Sequence, residues 1–200
     1  TGNTTKAYAK AFATASGTVS TVVLFATYGQ KVGLFSSNLS QAFIIGMLMG
    51  AAFPFIFSSF TIGATGKAAY EMVDEVRRQF KENPAILEHK AEPDYDRCID
   101  ISTKNALKKM IPPTFLALAS PIFVGLILGP HALGGMLLGG TCTAALLASF
   151  FTLGGAVWDN TKKSIETKGF WIKGTQMHTA AVVGDTVGDP LKDVAGPSLN

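Results

Sequence analysis

Charged side chains are scarce in this 200-residue sequence and are absent from three long stretches. Only 16% of the residues are charged, and residues 11–30, 32–66 and 110–158 contain no Lys, Arg, Asp or Glu. A helix that crosses a lipid bilayer needs about 20 mostly apolar residues. The first stretch therefore predicts one span, the second a loop and one span, and the third two spans joined by a turn. The chain is predicted to be an integral membrane protein.

Features that mark several other classes of protein are also missing. The two cysteines, Cys98 and Cys142, make no disulfide framework. A net charge of +3 is too small for a nucleic-acid footprint, so no nucleic-acid partner is expected. There is no G-x-x-x-x-G-K-[ST] motif for an ATP site, and no Ser-His-Asp or Cys-His arrangement. No signal peptide opens the chain, and its first and last residues suggest a fragment of a longer protein.

The apolar runs define an all-α fold, a polytopic bundle of transmembrane helices. Residues 67–109 hold nine basic and nine acidic residues and predict a water-exposed loop that contains helix. The loops at 29–40 and 128–134 hold one Lys between them, so the positive-inside rule places 67–109 in the cytoplasm. The predicted spans are about 8–28, 41–62, 110–128, 133–153 and 178–200.

Prolines and small residues add detail to these spans. Pro54 predicts a kink in the second span, whose helical pattern extends through 67–81. Pro84 and Pro93 should break the charged segment, and 112–113 should mark the entry to the third span. The first span is rich in Ala, Ser, Thr and Gly, which favour close helix contacts in a bilayer.

The strongest polar cluster is G-D-T-V-G-D-P-L-K-D at 184–193, which falls on the predicted cytoplasmic side. Asp185, Asp189 and Asp193 are spaced by four, so on an α-helix they form one acidic stripe with steps of about 6 Å. Divalent cations bound by carboxylate oxygens would relieve the repulsion within this stripe, and Lys192 could bind a phosphate oxygen. The alternative is a solvated, acidic helix end.

The second cluster is W-D-N-T-K-K at 158–163, at the end of the fourth span. Asp159, Lys162 and Lys163 are three and four residues apart, so the acid and the ammonium groups share a helix face. A carboxylate for metal and lysines for phosphate would again explain the combination. The alternative is a pair of snorkelling lysines with a salt-bridged aspartate at the membrane boundary.

The third cluster is G-N-T-T-K-A-Y-A-K at 2–10. Asn3 could cap a helix, and Lys6 and Lys10 could flank a polar pocket. For this cluster taken singly, capping and snorkelling is the favoured interpretation. Three polar clusters on one face of the membrane are what a shared site would require.

From the residues alone, two non-catalytic functions stay open. A divalent-cation or proton transporter could use the same acidic helices, although a site for cations alone has little reason to recruit Lys162 and Lys192. A non-catalytic membrane scaffold is the other alternative.

Taken together, these motifs resemble the membrane-bound pyrophosphatases, and the resemblance implies a pump that hydrolyses pyrophosphate to drive protons across a membrane. GDTVGDPLKDVAGPSLN is similar to the family's GDT-(V/I)-GDP-x-KD-TSGPSLN element, and WDNTKK to its WDNAKK. GNTTKAYAKAF resembles its GNTT element, and EMVDEVRRQF its cytoplasmic loop. The resemblance covers nearly the whole chain and implies a homodimer with about sixteen spans per subunit, of which about five are present here.

The resemblance also implies roles for individual residues and a Mg²⁺ cofactor with pyrophosphate as substrate. Asp193 and Asp189 are the expected catalytic residues, because the family's aspartate at Asp193 helps to hold the attacking water. Asn200 is expected near the gate of the ion pathway. The expected metal ligands are Asp159, Asp185, Asp189 and Asp193, and the expected substrate-binding residues are Lys162, Lys163, Lys192 and Asn3.

Lys6 bears on the type of pump that the resemblance implies. In the family, a lysine at this place marks potassium-independent proton pumps, because the ammonium group can occupy the potassium position. The protein is expected to lie in the cell membrane of a prokaryote or in the membrane of an acidic organelle or vacuole. The sequence departs from the family's pattern at Ala9, Leu153–Val157, Thr179 and Val194–Ala195.

Overall fold

The chain folds into long helices, as its apolar runs predict. The computed structural model describes residues 2–36, 40–168 and 173–200, and within these ranges all side chains except those of residues 2–4, 6, 7 and 168. No strand occurs in these ranges, which confirms the all-α class. The helices are α1 (Gly2–Val32), α2 (Gln41–Glu82), α3 (Tyr95–Ile127), α4 (Pro130–Lys168) and α5 (Gln176–Asp189).

The helical chain continues past Asp189, the last residue of α5, in a wider geometry. Pro190–Ala195 forms a π-helical turn, and Gly196–Ser198 follows as a last short α-helical piece. Pro190 has no N–H group and so cannot donate the next α-helical hydrogen bond. The Gly196 N–H donates to the Leu191 carbonyl instead, which is the i→i+5 bond of a π-helix.

Four helices of the described part are long and apolar enough to cross a membrane. They are α1 from Tyr8, α2, α3 and α4. Helix α5 is not among them, so the span at 178–200 stays a prediction. Pro130 begins α4, which agrees with the predicted turn after the third apolar run.

The charged segment 67–109, which the sequence predicted to be a loop that contains helix, is mostly helical. Helix α2 runs on to Glu82 as its pattern predicts, and a 3₁₀ turn at Pro84–Ile86 follows. Helix α3 begins at Tyr95, capped by the Asp94 carboxylate, which accepts the N–H of Arg97 at 2.9 Å. The prolines at 112–113 therefore lie inside α3 rather than at its start, as bundled membrane helices tolerate.

Helices α2 and α4 pack backbone against backbone through glycines. A Cβ atom on Gly46 would lie 1.9 Å from the Ala132 carbonyl oxygen, and one on Gly139 would lie 2.1 Å from that of Met47. Small residues four apart permit this approach between membrane helices. Close contacts were also expected from the small residues of α1, and a Cβ on Gly17 would lie 3.2 Å from the Asn200 carbonyl oxygen.

We expect Gly139→Leu to separate α2 from α4. The new side chain cannot avoid the Met47 carbonyl, since the clash begins at Cβ, and overpacking of this kind costs roughly 1–3 kcal/mol or more. The midpoint of unfolding in a denaturing-detergent titration measures the loss. Gly63→Leu on α2 is the matched control, because nothing lies within 4 Å of a Cβ at Gly63. Equal midpoints for the two variants would contradict this packing.

Candidate functional site

The Lys192 ammonium group lies among three carboxylates where α4 meets α5. Its Nζ is 3.1 Å from Asp159 Oδ2, 3.1 Å from Asp185 Oδ1 and 2.5 Å from Asp189 Oδ1. The Lys192 side chain is only 5% exposed. An ammonium group has three hydrogen-bond donors, so each carboxylate can take one.

The two lysines of the W-D-N-T-K-K motif join the same cluster from α4. Lys162 donates to Asp185 Oδ2, and Lys163 lies 2.8 Å from Asp159 Oδ1. Acids and bases therefore alternate across the α4–α5 contact. We call the six side chains Asp159, Lys162, Lys163, Asp185, Asp189 and Lys192 the aspartate–lysine cluster.

Two glycines allow α4 and α5 to come close enough for these contacts. A Cβ on Gly155 would lie 2.6 Å from the Gly188 carbonyl oxygen and 2.6 Å from Lys192 Cβ. A Cβ on Gly188 would lie 2.9 Å from Trp158 Cε3 and 3.1 Å from Gly155 Cα. Neither position has room for a side chain, so the glycine pair sets the spacing beneath the cluster.

The π-helical turn divides the acidic stripe that the spacing by four predicted. Asp185 and Asp189 both contact Lys192, whereas Asp193 lies within the wide turn and pairs with Lys10 of α1. Lys10 Nζ also donates to the Lys192 carbonyl oxygen at 3.0 Å. Because this turn is wider than an α-helical turn, Asp193, four residues after Asp189, no longer lies on the α-helical stripe. π-Helical turns of this kind are frequent at functional sites.

Lys10 is a site residue to which the motifs assigned no role in binding or catalysis. The sequence predicted Lys10 only as the flank of a polar pocket, because 182 residues separate it from the backbone oxygen that it contacts. The available signal was a second lysine four residues after Lys6 at the polar end of an apolar helix. The side chains of Asn3 and Lys6 lie outside the described residues, so their expected roles stay predictions.

Asn200 lies apart from the cluster, at the end of the helical continuation of α5. It lines a cavity with Gly17 of α1. A Cβ on Gly17 would be 3.2 Å from the Asn200 carbonyl oxygen. Asn200 thus lies close to α1, and its expected place near the gate of the ion pathway stays a prediction.

The carboxylates of the site have the chemistry of magnesium ligands, but lysines lie between them. In the part of the chain that the structure describes, no three acidic, His or Cys side chains are grouped to hold a metal ion. Magnesium in phosphate-binding sites commonly takes one or two carboxylates together with substrate phosphates. Asp189 is 52% exposed and Asp193 is 36% exposed, so these two carboxylates are accessible to such an ion. These carboxylates are suitable ligands for Mg²⁺ if substrate phosphates supply the other ligands.

Comparison with known proteins identifies one family over the entire sequence. The sequence profile of the family described as "Inorganic H+ pyrophosphatase" matches residues 1–200. A protein of Methanosarcina mazei named as a K(+)-insensitive pyrophosphate-energized proton pump is 50% identical over all of this chain, which covers 30% of that protein.

Other relatives carry two different pump names at nearly equal identity. A K(+)-insensitive pyrophosphate-energized proton pump of Caldanaerobacter subterraneus is 45% identical, and a K(+)-stimulated pyrophosphate-energized sodium pump of Thermotoga maritima is 44% identical. Each alignment covers all of this chain and 29% of the relative. The chain thus spans about three tenths of the length of these relatives. Since the family profile matches every residue, the chain belongs to the inorganic H+ pyrophosphatase family.

Proposed function

We propose that the protein to which this chain contributes hydrolyses pyrophosphate and couples the hydrolysis to ion transport across a membrane. The observation that carries the proposal is the aspartate–lysine cluster, in which Lys192 is shared by Asp159, Asp185 and Asp189. A site that only transports cations has little reason to place ammonium groups among its carboxylates, whereas ammonium groups bind phosphate oxygens strongly. The proposed protein is a homodimer embedded in a lipid bilayer.

The lysines of the cluster would hold the substrate. Lys162 and Lys163 are 26% and 48% exposed, so their ammonium groups can exchange a carboxylate for a phosphate oxygen at little cost in burial. Lys192, held by its three carboxylates, would supply a fixed positive charge beneath the substrate. Charge-assisted hydrogen bonds of this kind are the strong ones in phosphate recognition.

The aspartates would hold the metal and the attacking water. Asp159, Asp185, Asp189 and Asp193 are the proposed ligands, and bound Mg²⁺ would neutralise phosphate charge. Asp193 and Asp189 would orient the water through their exposed carboxylates. Lys10 keeps the Asp193 carboxylate next to the Lys192 backbone and thus in register with the cluster.

The type of pump is a finer proposal that rests on Lys6. Relatives named as proton pumps and as sodium pumps match the chain about equally well, so overall identity does not decide between them. A tethered ammonium group at position 6 would take the place of a potassium ion. We propose a potassium-independent proton pump.

The full-length parent in sealed inside-out vesicles should acidify the lumen when Mg²⁺ and pyrophosphate are added, equally with and without K⁺. Lys6→Ala should make this acidification depend on K⁺, because the free cation then replaces the lost ammonium group. A pH-sensitive dye in the lumen and released phosphate outside are measured together.

Four other outcomes have distinct meanings. Acidification by the wild type that requires K⁺ would contradict the role of Lys6 and leave the pump intact. Phosphate release with Na⁺ uptake and no acidification would make the protein a sodium pump. Ion uptake without phosphate release would favour a transporter that does not hydrolyse pyrophosphate, and intact vesicles with neither signal would contradict both functions.

A further inference from the structure

The π-helical turn at Pro190–Ala195 leaves the Lys192 carbonyl group without the donor that its own helix would normally supply. In an α-helix this carbonyl would accept the N–H of Gly196, but that N–H donates to the Leu191 carbonyl. The next bond of the π-helical series would pair Lys192 with Pro197. A proline has no N–H, so within the described residues 173–200 neither register provides this carbonyl with a backbone donor.

Lys10 of α1 supplies the missing donor from another helix. Its Nζ lies 3.0 Å from the Lys192 carbonyl oxygen and also pairs with the Asp193 carboxylate. An ammonium group has three hydrogen-bond donors, so it can serve both acceptors at once. Lys192 is buried, and buried backbone carbonyls are nearly always hydrogen-bonded. Lys10 therefore satisfies a carbonyl that Pro197 leaves open.

The two possible acceptors of the Gly196 N–H give Asp193 two different places. If this N–H returned to the Lys192 carbonyl, the turn would become α-helical there, and Asp193 would lie on one stripe with Asp189. Like charges at that spacing repel each other. The Lys192 carbonyl is open to Lys10 only in the π-helical register, so the contact with Lys10 favours that register.

Helix α4 packs closely against the other side of the same turn. A Cβ on Gly196 would lie 2.7 Å from Thr152 Oγ1 of α4 and 3.0 Å from the Leu191 carbonyl oxygen. The Lys192 side chain binds the aspartates at the α4–α5 contact, whereas its carbonyl binds Lys10 of α1. The turn is thus held between α4 and α1, and Lys10 makes the polar contact on the α1 side.

We propose that Lys10 is a positioning residue for Asp193, and that it acts by replacing the N–H that Pro197 lacks. Its hydrogen bond to the Lys192 carbonyl maintains the π-helical register, and this register places the Asp193 carboxylate beside α1. Lys10 performs this role through the backbone of the turn, without contact to the substrate. The part of Asp193 in hydrolysis rests on the proposed function, whereas the hydrogen bonds of the turn do not.

In the full-length parent in lipid nanodiscs, Lys10→Met should lower kcat for pyrophosphate hydrolysis by about 10- to 100-fold, because a displaced carboxylate costs rate. KM should change by less than about twofold, since no contact with substrate is lost. Lys10→Arg keeps the donors and should recover most of the loss. Lys31→Met, at an exposed position of the same helix, is the matched control and should resemble the wild type. A raised KM with unchanged kcat would overturn the proposal in favour of direct substrate binding.

Pro197→Ala tests the missing donor directly. The substitution restores an N–H at the position that the next π-helical bond would use, so the Lys192 carbonyl no longer depends on Lys10. Lys10→Met in this background should have a kcat about tenfold higher than Lys10→Met alone, the equivalent of one charge-assisted hydrogen bond. An equal loss of kcat in both backgrounds would overturn the proposal.

Hydrogen–deuterium exchange measures the turn without any hydrolysis. The amides of residues 191–196 should exchange about tenfold faster in Lys10→Met than in the wild type or Lys31→Met, because the π-helical bonds open more often. Adding Pro197→Ala should slow this exchange again. Equal exchange in Lys10→Met and the wild type would overturn the proposal even in a protein that hydrolyses pyrophosphate. The expected exchange in a protein that does not hydrolyse it would support the hydrogen bond of Lys10 and contradict the proposed function.

Discussion

Gly155→Ala should lower pyrophosphate hydrolysis by the full-length parent by about 100-fold, whereas Gly154→Ala should leave it unchanged. A methyl group on Gly155 would lie 2.6 Å from both the Gly188 carbonyl oxygen and Lys192 Cβ, so α4 and α5 must move apart. Displacements of about 1 Å in a catalytic arrangement commonly cost about 100-fold in rate. Released phosphate from purified protein in nanodiscs measures the effect.

The neighbouring glycine makes this experiment well controlled. Nothing lies within 4 Å of a Cβ on Gly154, although it occupies the same helix one position earlier. Both substitutions raise helix propensity by about the same amount. Any difference between them therefore reports the contact with α5. Wild-type hydrolysis in Gly155→Ala would show that the spacing of α4 and α5 at Lys192 does not govern the site.

The sequence predicted the helical fold because hydropathy is a strong and local signal. The charge-free runs supply most of the apolar residues of α1–α4, and Leu128 and Gly129 separate α3 from α4 at the predicted turn. The motifs also named most of the residues that meet at the cluster. Asp159 and Lys162 share a face of α4 at a spacing of three, and the structure places both near Asp185 or Lys192.

Helix ends in the charged segment were harder to predict than the apolar runs. A hydropathy argument ends a helix where charges begin, but α3 extends back to Tyr95 through several charged residues. Gln79 of α2 explains part of this extension. Its side chain accepts the N–H of Asp94 at 2.8 Å and donates to the Asp94 carbonyl at 3.1 Å, fixing the start of α3 against the end of α2.

Contacts between distant residues account for most of what the sequence could not give. The stripe at Asp185, Asp189 and Asp193 assumed α-helical geometry, and a single proline followed by a π-helical turn moved the third member to a different partner. The glycines of α2 and α4 are individually unremarkable in a membrane helix. Only the pairing of the two helices shows why a side chain is excluded at Gly46 or Gly139.

Lys192→Met should abolish hydrolysis and destabilise the full-length parent at the same time. The substitution leaves Asp159, Asp185 and Asp189 without their shared cation, and two of them are buried, with side chains 12% and 6% exposed. Removing one partner of a buried ion pair costs about 3–5 kcal/mol. Unfolding midpoints in a denaturing-detergent titration, together with phosphate release, measure both effects.

A second substitution separates the structural from the chemical role of Lys192. Without Lys192, the three carboxylates face only the ammonium groups of Lys162 and Lys163 among the described residues. Asp185→Asn in the Lys192→Met background removes this excess negative charge, so stability should recover in part while hydrolysis stays lost. Lys163→Met is the matched control for stability alone: Lys163 is 48% exposed and pairs with Asp159, and exposed pairs contribute about 1 kcal/mol or less. If Lys192→Met unfolds at the same midpoint as Lys163→Met, the three carboxylates do not depend on the buried ammonium group. If it still hydrolyses pyrophosphate, Lys192 does not hold the substrate.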